Sequence, residues 1–152
     1  AFLEKLGLAL QESNIKPEIE IFDAGMVYNA IHYMKTGILK APCHFQIVLG
    51  CAGGMTSTVE NLVYLKNLIP EGSTWAACGI SSVHLPIMSA TIAMGGHLRV
   101  GLEDNLYMSR GVLAKSNAQL VERARHMLEI HGLEAATPDE ARQIYGLTRK
   151  VF

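Results

Sequence analysis

The sequence has few charged residues and lacks the patterns that mark nucleic-acid-binding and membrane proteins. Only 18% of its 152 residues are charged, against about 25% in an average soluble domain. The formal net charge is −1 and the pI is near 6.7, so the basic field that nucleic acid or an anionic membrane requires is absent. No apolar run reaches the roughly 18 residues of a membrane span, and no signal-peptide pattern opens the chain. We therefore predict that the protein binds neither nucleic acid nor a membrane.

Cysteine is scarce as well. Cys43, Cys51 and Cys78 are an odd number, have no CxxC spacing and lie in or beside apolar runs. This usage is typical of small buried hydrophobic residues in a reducing compartment, which predicts a cytoplasmic protein.

Apolar residues, by contrast, are abundant. They make up 49% of the chain, and the mean hydropathy is +0.21. Such a composition suits a parallel sheet whose strands are hidden on both faces, or an obligate oligomer. The first residue is not Met, and Phe2, Leu3, Leu6 and Leu10 already show the spacing of an amphipathic helix. We therefore expect the sequence to be a fragment that begins in the middle of a secondary-structure element.

Hydrophobic periodicity predicts one helix, then four strand–helix units, then one extra helix. The predicted helices cover residues 2–13, 25–36, 58–68, 83–94 (with Ser81 and Ser82 as the cap), 117–131 and 137–145, and the predicted strands cover residues 18–23, 45–49, 74–78 and 97–102. This alternation indicates a parallel sheet with right-handed crossovers and no internal domain boundary over residues 1–152. Two architectures remain open: a doubly wound sheet of four or five strands, and half of a (β/α)₈ TIM barrel of about 250 residues.

In both architectures functional side chains follow the carboxyl ends of the strands. The fourth predicted strand ends at two adjacent carboxylates, Glu103 and Asp104, and period-two alternation places Arg99, Gly101 and Glu103 on one face. An arginine and a carboxylate on an apolar face are costly to bury unless they pair or bind something charged. The pattern predicts metal or substrate binding there, with a structural ion pair as the alternative.

Three weaker candidates follow from the other strands. Glu18 and Glu20 make one face of the first strand acidic, as in a solvent-facing edge or, with Glu20 nearer the substrate, in a closed barrel. The loop at Gly53 and Gly54 offers backbone N–H groups at a helix start, which suits an anion or a carbonyl oxygen, although a plain strand-to-helix turn needs glycine too. Ser82, after the third strand, is a similar candidate.

The six histidines form no HxH or HExxH pair, so the chain alone is not expected to build a histidine-based metal site. His84 is the only one predicted near a loop at the carboxyl ends of the strands. His97 opens the fourth strand, at the opposite end.

Several longer runs resemble the β-keto acid cleavage enzymes, whose type member is the 3-keto-5-aminohexanoate cleavage enzyme of lysine fermentation. The runs are in family order and span nearly the whole chain. The most specific is Arg99-Val100-Gly101-Leu102-Glu103-Asp104-Asn105; the others are residues 16–23, Leu49-Gly50 with Gly53-Gly54, Gly95-Gly96-His97-Leu98, residues 116–121 and residues 136–142.

The resemblance implies a TIM barrel to which this chain supplies about the last four βα units plus a C-terminal helix. It also implies a divalent metal, usually zinc, held by Glu103 and by two histidines upstream of Ala1. It assigns substrate handling to Arg99 and Asp104, and it brings Glu18 or Glu20 into the active site, with Glu20 favoured.

The implied reaction is a Claisen-type exchange in which a β-keto acid and acetyl-CoA give acetoacetate and a new acyl-CoA. The metal would polarise the keto carbonyl, and Asp104, oriented by Arg99, would act as general base. Arg99 could also stabilise the negative charge that develops in the transition state. The partners expected are thus a small β-keto acid and a CoA thioester, in a homo-oligomer for which the family favours a tetramer.

One segment departs from the family pattern. Many members carry Gly-Ile-Gly-Arg and then Gln-Leu-Pro after the third strand, whereas residues 79–86 here read Gly-Ile-Ser-Ser-Val-His-Leu-Pro. The missing arginine leaves the acyl or CoA contacts open. Two other readings remain at this stage: a self-contained, doubly wound α/β domain that binds a small molecule without catalysis, and an inactive remnant that acts as an interaction module.

Overall fold

The computed structural model describes residues 2–147, in which helices and parallel strands alternate as the sequence predicts. The helices are α1 (Phe2–Glu12), α2 (Ala24–Lys35), α3 (Val59–Leu68), α4 (His84–Ala93), α5 (Asn117–Ile130) and α6 (Pro138–Tyr145). The strands are β1 (Glu18–Ile21), β2 (His44–Leu49), β3 (Thr74–Gly79), β4 (His97–Leu98), β5 (Tyr107–Ser109) and β6 (Val112–Leu113). Each of these helices is too short or too polar to span a bilayer.

Side-chain caps set where the helices begin. Asp23 accepts a hydrogen bond from the Met26 N–H at the start of α2, and Thr58 and Ser116 cap α3 and α5 in the same way. At α6, Thr137 forms a reciprocal capping box with Glu140. Each cap satisfies backbone N–H groups that have no partner within the helix, which typically stabilises the helix by about 1 kcal/mol.

Strands β1 to β4 form one parallel sheet in chain order, β1-β2-β3-β4. Because side chains alternate between the faces of a strand, the sheet has two distinct faces. One face packs against the helices; its strand members in the core are Ile21, Phe45, Ile47, Leu49, Trp75 and Ala77, which meet Val27, Ala30, Leu62, Leu65 and Ile87 of α2, α3 and α4. The opposite face, which we call the polar face, carries Glu18, Glu20, His44, Gln46, Thr74 and His97.

The amino-terminal end of the polar face is closed by the last helix. The Tyr145 ring lies 4.6 Å from the His44 ring and 5.6 Å from the His97 ring, and Lys16 donates a hydrogen bond to the Tyr145 carbonyl. Burial lowers the pKa of His97, and burial together with the nearby His97 and Lys16 lowers the pKa of His44 to about 4. Both rings are therefore neutral at pH 7.

The fourth strand is shorter than predicted. The ladder with β3 pairs only His97 and Leu98, so the predicted strand over residues 97–102 is wrong beyond Leu98. The chain turns because the Gly101 carbonyl accepts hydrogen bonds from the N–H groups of Asp104 and Asn105. A second difference is the antiparallel hairpin β5–β6, which lies in a stretch predicted as loop.

The start of the helix after β3 also differs. Residues Ser81–Val83 form a turn of 3-10 helix, and the α-helix begins at His84, one residue later than a cap at Ser81 and Ser82 predicts. Ser81 itself has a φ of +64°, in the left-handed region that glycine adopts most easily. The residue type therefore does not favour the conformation, which must be held by its neighbours.

Candidate active site

Arg99, the first residue after β4, is the centre of a charged cluster. Its Nε and Nη2 atoms donate to the two oxygens of Asp104, at 3.0 and 3.1 Å. Its Nη2 atom also lies 3.1 Å from Glu103 Oε1, and its Nη1 atom lies 2.7 Å from Glu20 Oε1. A guanidinium group has five N–H donors, so these four hydrogen bonds leave one N–H without a partner among residues 2–147.

The turn after β4 brings these groups together. The prediction that Arg99, Gly101 and Glu103 share a strand face through alternation is wrong, because these residues are not in a strand. In an extended strand, residues five apart such as Arg99 and Asp104 would lie on opposite faces and some 16 Å from each other. The turn at Gly101 instead places both carboxylates beside the guanidinium. The Leu102 N–H, bound to Asn117 Oδ1 at 2.8 Å, ties this turn to the start of α5.

The three carboxylates differ in exposure. The Asp104 side chain is 7% exposed, Glu20 is 44% exposed and Glu103 is 75% exposed, while Arg99 is 26% exposed. Burial alone would lower the pKa of Arg99, but its hydrogen bonds to Asp104 and Glu20 outweigh burial and the pKa is raised. The guanidinium group is thus permanently charged, and with three carboxylates it gives the cluster a formal charge of −2, which favours a cation nearby.

The structure separates the two glutamates of β1. Glu20 contacts Arg99, whereas Glu18 lies towards the amino-terminal end of the sheet, where its Oε2 is 3.5 Å from His44 Nε2. Because His44 is neutral at pH 7, the Glu18 contact is not an ion pair at that pH. The geometry favours Glu20 as the member of the cluster.

The glycine-bearing loop after β2 is partly occupied by its own hydrogen bonds. The Gly54 N–H donates to the Cys51 carbonyl, so the free donor expected at Gly54 is engaged. A Cβ at Gly54 would lie 3.0 Å from the Phe22 carbonyl oxygen, which explains the glycine by close packing. Gly53, with a φ of +82°, has no hydrogen bond from its N–H within residues 2–147. Nearby, the buried Ser57 hydroxyl also has no partner among these residues.

The loop after β3 touches the Asp104 backbone. The Ser81 N–H donates to the Asp104 carbonyl at 2.7 Å, while Ser82 is exposed and its hydroxyl makes no hydrogen bond within the described residues. Ser82 is therefore available to a ligand beside the cluster, and its predicted substrate contact stays a prediction.

The three cysteines are free thiols in the described structure, and Cys43 and Cys78 are buried as predicted, whereas Cys51 is half-buried. Cys78 lies near the cluster at the end of β3. Burial, reinforced by the Asp104 charge, raises its pKa to about 12. Since the thiolate is the reactive form, Cys78 is a packing residue and not a nucleophile.

Three neighbours of the cluster were not among the predicted site residues. His84 and Asn105 are buried beside it, and Arg123 of α5 donates to the Met108 carbonyl at 2.8 Å, with its Nε and Nη2 atoms buried and unpaired within residues 2–147. The sequence did carry a signal for Arg123. It lies between Leu120 and Ala124, the two buried residues of α5, so an arginine falls on the inward stripe of an otherwise polar helix.

The described residues do not by themselves form a complete site for the predicted metal. No group of three His, Cys, Asp or Glu side chains that could hold an ion occurs within residues 2–147. Glu103 fits the role of a single ligand: it is exposed, only its Oε1 is bound to Arg99, and its Oε2 has no hydrogen bond to these residues. Carboxylate oxygen is a normal zinc ligand.

The arrangement has a clear chemical capability. The Asp104 carboxylate accepts a bidentate pair of hydrogen bonds from Arg99, a geometry that fixes its orientation and favours its charged form. A carboxylate fixed in this way can accept a proton from a bound molecule, and the remaining Arg99 N–H can bind an oxygen of the same molecule. These features define the class: parallel-sheet α/β proteins, which bind small molecules beyond the carboxyl ends of their strands.

Comparison with known proteins identifies the family. The chain belongs to the β-keto acid cleavage enzyme family, whose model matches residues 1–147. It is 46% identical over 147 residues to a 3-keto-5-aminohexanoate cleavage enzyme of Fusobacterium nucleatum, covering 97% of this chain and 53% of that protein. It is 36% identical over 137 residues to a 3-oxoadipate:acetyl-CoA acetyltransferase of Cupriavidus necator, covering 88% of this chain and 48% of that protein.

A solved structure supports the fold. The chain superimposes on ObcA, in a ternary complex with a C4-CoA adduct and oxalate, with a TM-score of 0.79 at 19% identity. The match covers 96% of this chain and 41% of ObcA. The chain thus spans about half the length of the curated relatives it matches.

Proposed function

We propose that this chain is part of an acyltransferase that exchanges acyl groups between a β-keto acid and acetyl-CoA, giving acetoacetate and a new acyl-CoA. The observation that carries the proposal is the Arg99 cluster at the carboxyl edge of a parallel sheet. In this cluster the Arg99 guanidinium group forms ion pairs with Asp104, Glu20 and Glu103. Family membership and the acetyl-CoA transferase name of the Cupriavidus necator relative support the reaction class.

The fold that we propose is the carboxyl-terminal half of a TIM barrel. Strands β1 and β4 are at opposite edges of the sheet, three strand spacings or roughly 14 Å apart if the sheet were flat. Yet Arg99 and Glu20 meet at 2.7 Å. Because Glu20 belongs to β1 and Arg99 directly follows β4, this contact supports a sheet that curves towards its polar face, as the wall of a barrel does.

The distribution of helices favours the barrel over a doubly wound domain. A doubly wound sheet has helices on both faces, whereas in residues 2–147 the core that joins α2, α3 and α4 to the sheet lies on one face. In addition, β1 is an unpaired edge beside an apolar groove of about 240 Å³, whose lining includes Leu3, Leu6, Leu10, Ile19 and Ile38. Further strand–helix units would cover both features.

The residues of the chain have distinct proposed roles. Asp104 takes the proton whose removal generates the carbon nucleophile, and its double hydrogen bond with Arg99 sets its direction. Glu20 holds the other side of the guanidinium group, and the remaining Arg99 N–H binds a carbonyl or carboxylate oxygen of the substrate. Gly53, Ser82 and, less directly, Gly54 are the proposed substrate contacts, whereas Glu18 lies towards the amino-terminal end of the sheet beside His44 and has no proposed role in the reaction.

Glu103 is the proposed zinc ligand, through the free Oε2 described above, and the other ligands lie outside the described residues. When bound, a divalent metal would supply Lewis-acid polarisation of a keto carbonyl. The negative cluster supports the placement, because a cation beside it offsets the repulsion among the carboxylates. We further propose a cytoplasmic homo-oligomer; the exposed apolar side chains of the β5–β6 hairpin, Leu106, Val112 and Leu113, suit a subunit contact.

The test uses the complete gene product. Acetoacetate release is measured with acetyl-CoA and a panel of β-keto acids that includes 3-keto-5-aminohexanoate and 3-oxoadipate. Asp104→Asn should lower kcat by about 10² to 10⁴, the usual contribution of a general base, with zinc content unchanged. Asp139→Asn, on the exposed end of α6, is the matched control. Wild-type protein without turnover on any keto acid, or Asp104→Asn protein with full turnover, would contradict the proposal.

A further inference from the structure

A buried histidine that the proposed reaction does not use lies beside the cluster. His84 is the first residue of α4 and is 9% exposed. Its Nδ1 is 2.7 Å from the Ser81 carbonyl oxygen. A carbonyl oxygen only accepts hydrogen bonds, so Nδ1 carries the hydrogen, and in the neutral ring Nε2 is left as an acceptor.

The acceptor faces Asn105. The Asn105 Nδ2 lies 3.4 Å from His84 Nε2, at the long end of the hydrogen-bond range. The orientation of this amide is fixed independently, because Nδ2 also donates to the Tyr107 carbonyl at 2.6 Å and Oδ1 accepts from the Tyr107 N–H at 3.2 Å. An N–H donor therefore points towards the imidazole lone pair.

His84 thus connects two loops. On one side it binds the loop after β3 at Ser81, and on the other it meets the turn after β4 at Asn105, the residue next to Asp104. The Ser81 N–H donates to the Asp104 carbonyl, which is a second link between the same loops. Ser81 is held with a φ of +64°, a conformation that is unfavourable for a residue with a side chain. The two links stabilise this conformation.

The environment keeps the ring neutral. Burial lowers the pKa of His84 and the nearby Arg123 lowers it further, while the hydrogen bond to the Ser81 carbonyl opposes them. A protonated ring would turn Nε2 into a donor facing the Asn105 N–H, and the bridge would be lost.

We propose that His84 is a positioning residue: by bridging the Ser81 carbonyl and the Asn105 amide, it holds the turn after β4 so that the Asp104 carboxylate stays in the grip of Arg99. Its catalytic consequence rests on the proposed function. The structural role of His84, which is to connect the two loops, does not depend on the proposed function.

Glutamine distinguishes a bridge from simple packing, because its side-chain amide has one donor and one acceptor and can serve both partners. Leucine fills the space and serves neither. Thr91→Val is the matched control for lost stability: Thr91 is buried in the same helix, and its hydroxyl bonds only to the Ile87 carbonyl within α4.

The experiment compares these variants in the complete gene product by hydrogen–deuterium exchange over residues 99–107 and by steady-state kinetics. His84→Leu should speed exchange of the Asp104 and Asn105 amides and lower kcat by at least roughly 10-fold, since a displacement of about 1 Å can cost 100-fold. The KM for acetyl-CoA should stay within about 2-fold, because only the orientation of the base changes. His84→Gln should restore both readouts, and Thr91→Val should leave both unchanged.

Unchanged exchange in His84→Leu, or equal losses in the Gln and Leu variants, would overturn the positioning role. If the wild type lacks acyl exchange, the proposed function fails, and the exchange measurement still decides whether His84 tethers the two loops.

Discussion

Replacing Glu20 with glutamine removes one charge from the cluster around Arg99 and keeps the shape of the side chain. The ion pair spans 2.7 Å, but Glu20 is 44% exposed and Arg99 is 26% exposed, so solvent screens it. We expect the free energy of unfolding to fall by only about 1 kcal/mol, as for other partly exposed ion pairs. Activity should fall more, with kcat reduced about 10- to 100-fold, because the guanidinium group that orients Asp104 loses its opposing partner.

Glu18→Gln is the control on the same strand. Glu18 is 57% exposed and contacts the neutral His44, so the free energy of unfolding should change by less than about 0.5 kcal/mol and kcat should be unaffected. Urea unfolding followed by Trp75 fluorescence and acetoacetate release by the complete gene product measure the two effects. Equal kcat losses in the two variants, or a loss in Glu18→Gln alone, would refute the assignment of Glu20 to the cluster.

Two further predictions concern stability. Gly96→Ala should lower the free energy of unfolding by about 1 to 3 kcal/mol, the usual cost of overpacking, because its Cβ would lie 2.6 Å from the Trp75 ring; a urea titration in which it matches the wild type would disprove this. His44 has a folded pKa of about 4, below its ordinary 6.5, so the unfolded chain takes up a proton first as the pH falls. The stability due to neutral His44 is present above pH 6.5 and is lost towards pH 4, by up to about 3 kcal/mol. The groups that face the ring are Glu18, His97, Lys16 and Tyr145. His44→Asn should flatten this part of the pH dependence in thermal unfolding, and an unchanged slope would show that other groups cause it.

Much of the fold follows from local sequence. The alternating Glu18-Ile19-Glu20-Ile21 run and the helical stripes are strong periodic signals, and the caps at Asp23, Thr58 and Ser116 mark the helix starts within one residue. The end of β4 was not predictable by the same means. Residues 99–102 keep a strand-like pattern, and the turn that leads the chain away from β3 is held by hydrogen bonds to the Gly101 carbonyl and from the Leu102 N–H to Asn117.

The site was predictable where residues are neighbours in sequence and less so where they are not. Arg99, Glu103 and Asp104 lie within one run, so their association could be expected from that run. The choice between Glu18 and Glu20 depended on a contact between residues 79 positions apart, which is set by the tertiary fold and not by the local sequence pattern. The bridge through His84 was hidden for a similar reason: its partners Ser81 and Asn105 belong to different loops.

The role of Glu103 can be measured directly. Zinc affinity of the complete gene product, determined by isothermal titration calorimetry on metal-stripped protein, should fall by at least about 100-fold in Glu103→Gln, because a coordinating ligand is removed where even supporting residues contribute 10- to 100-fold. Glu122→Gln, an exposed carboxylate on α5, should bind zinc like the wild type. Equal zinc affinity in Glu103→Gln and wild-type protein would contradict the assignment of Glu103 as a metal ligand.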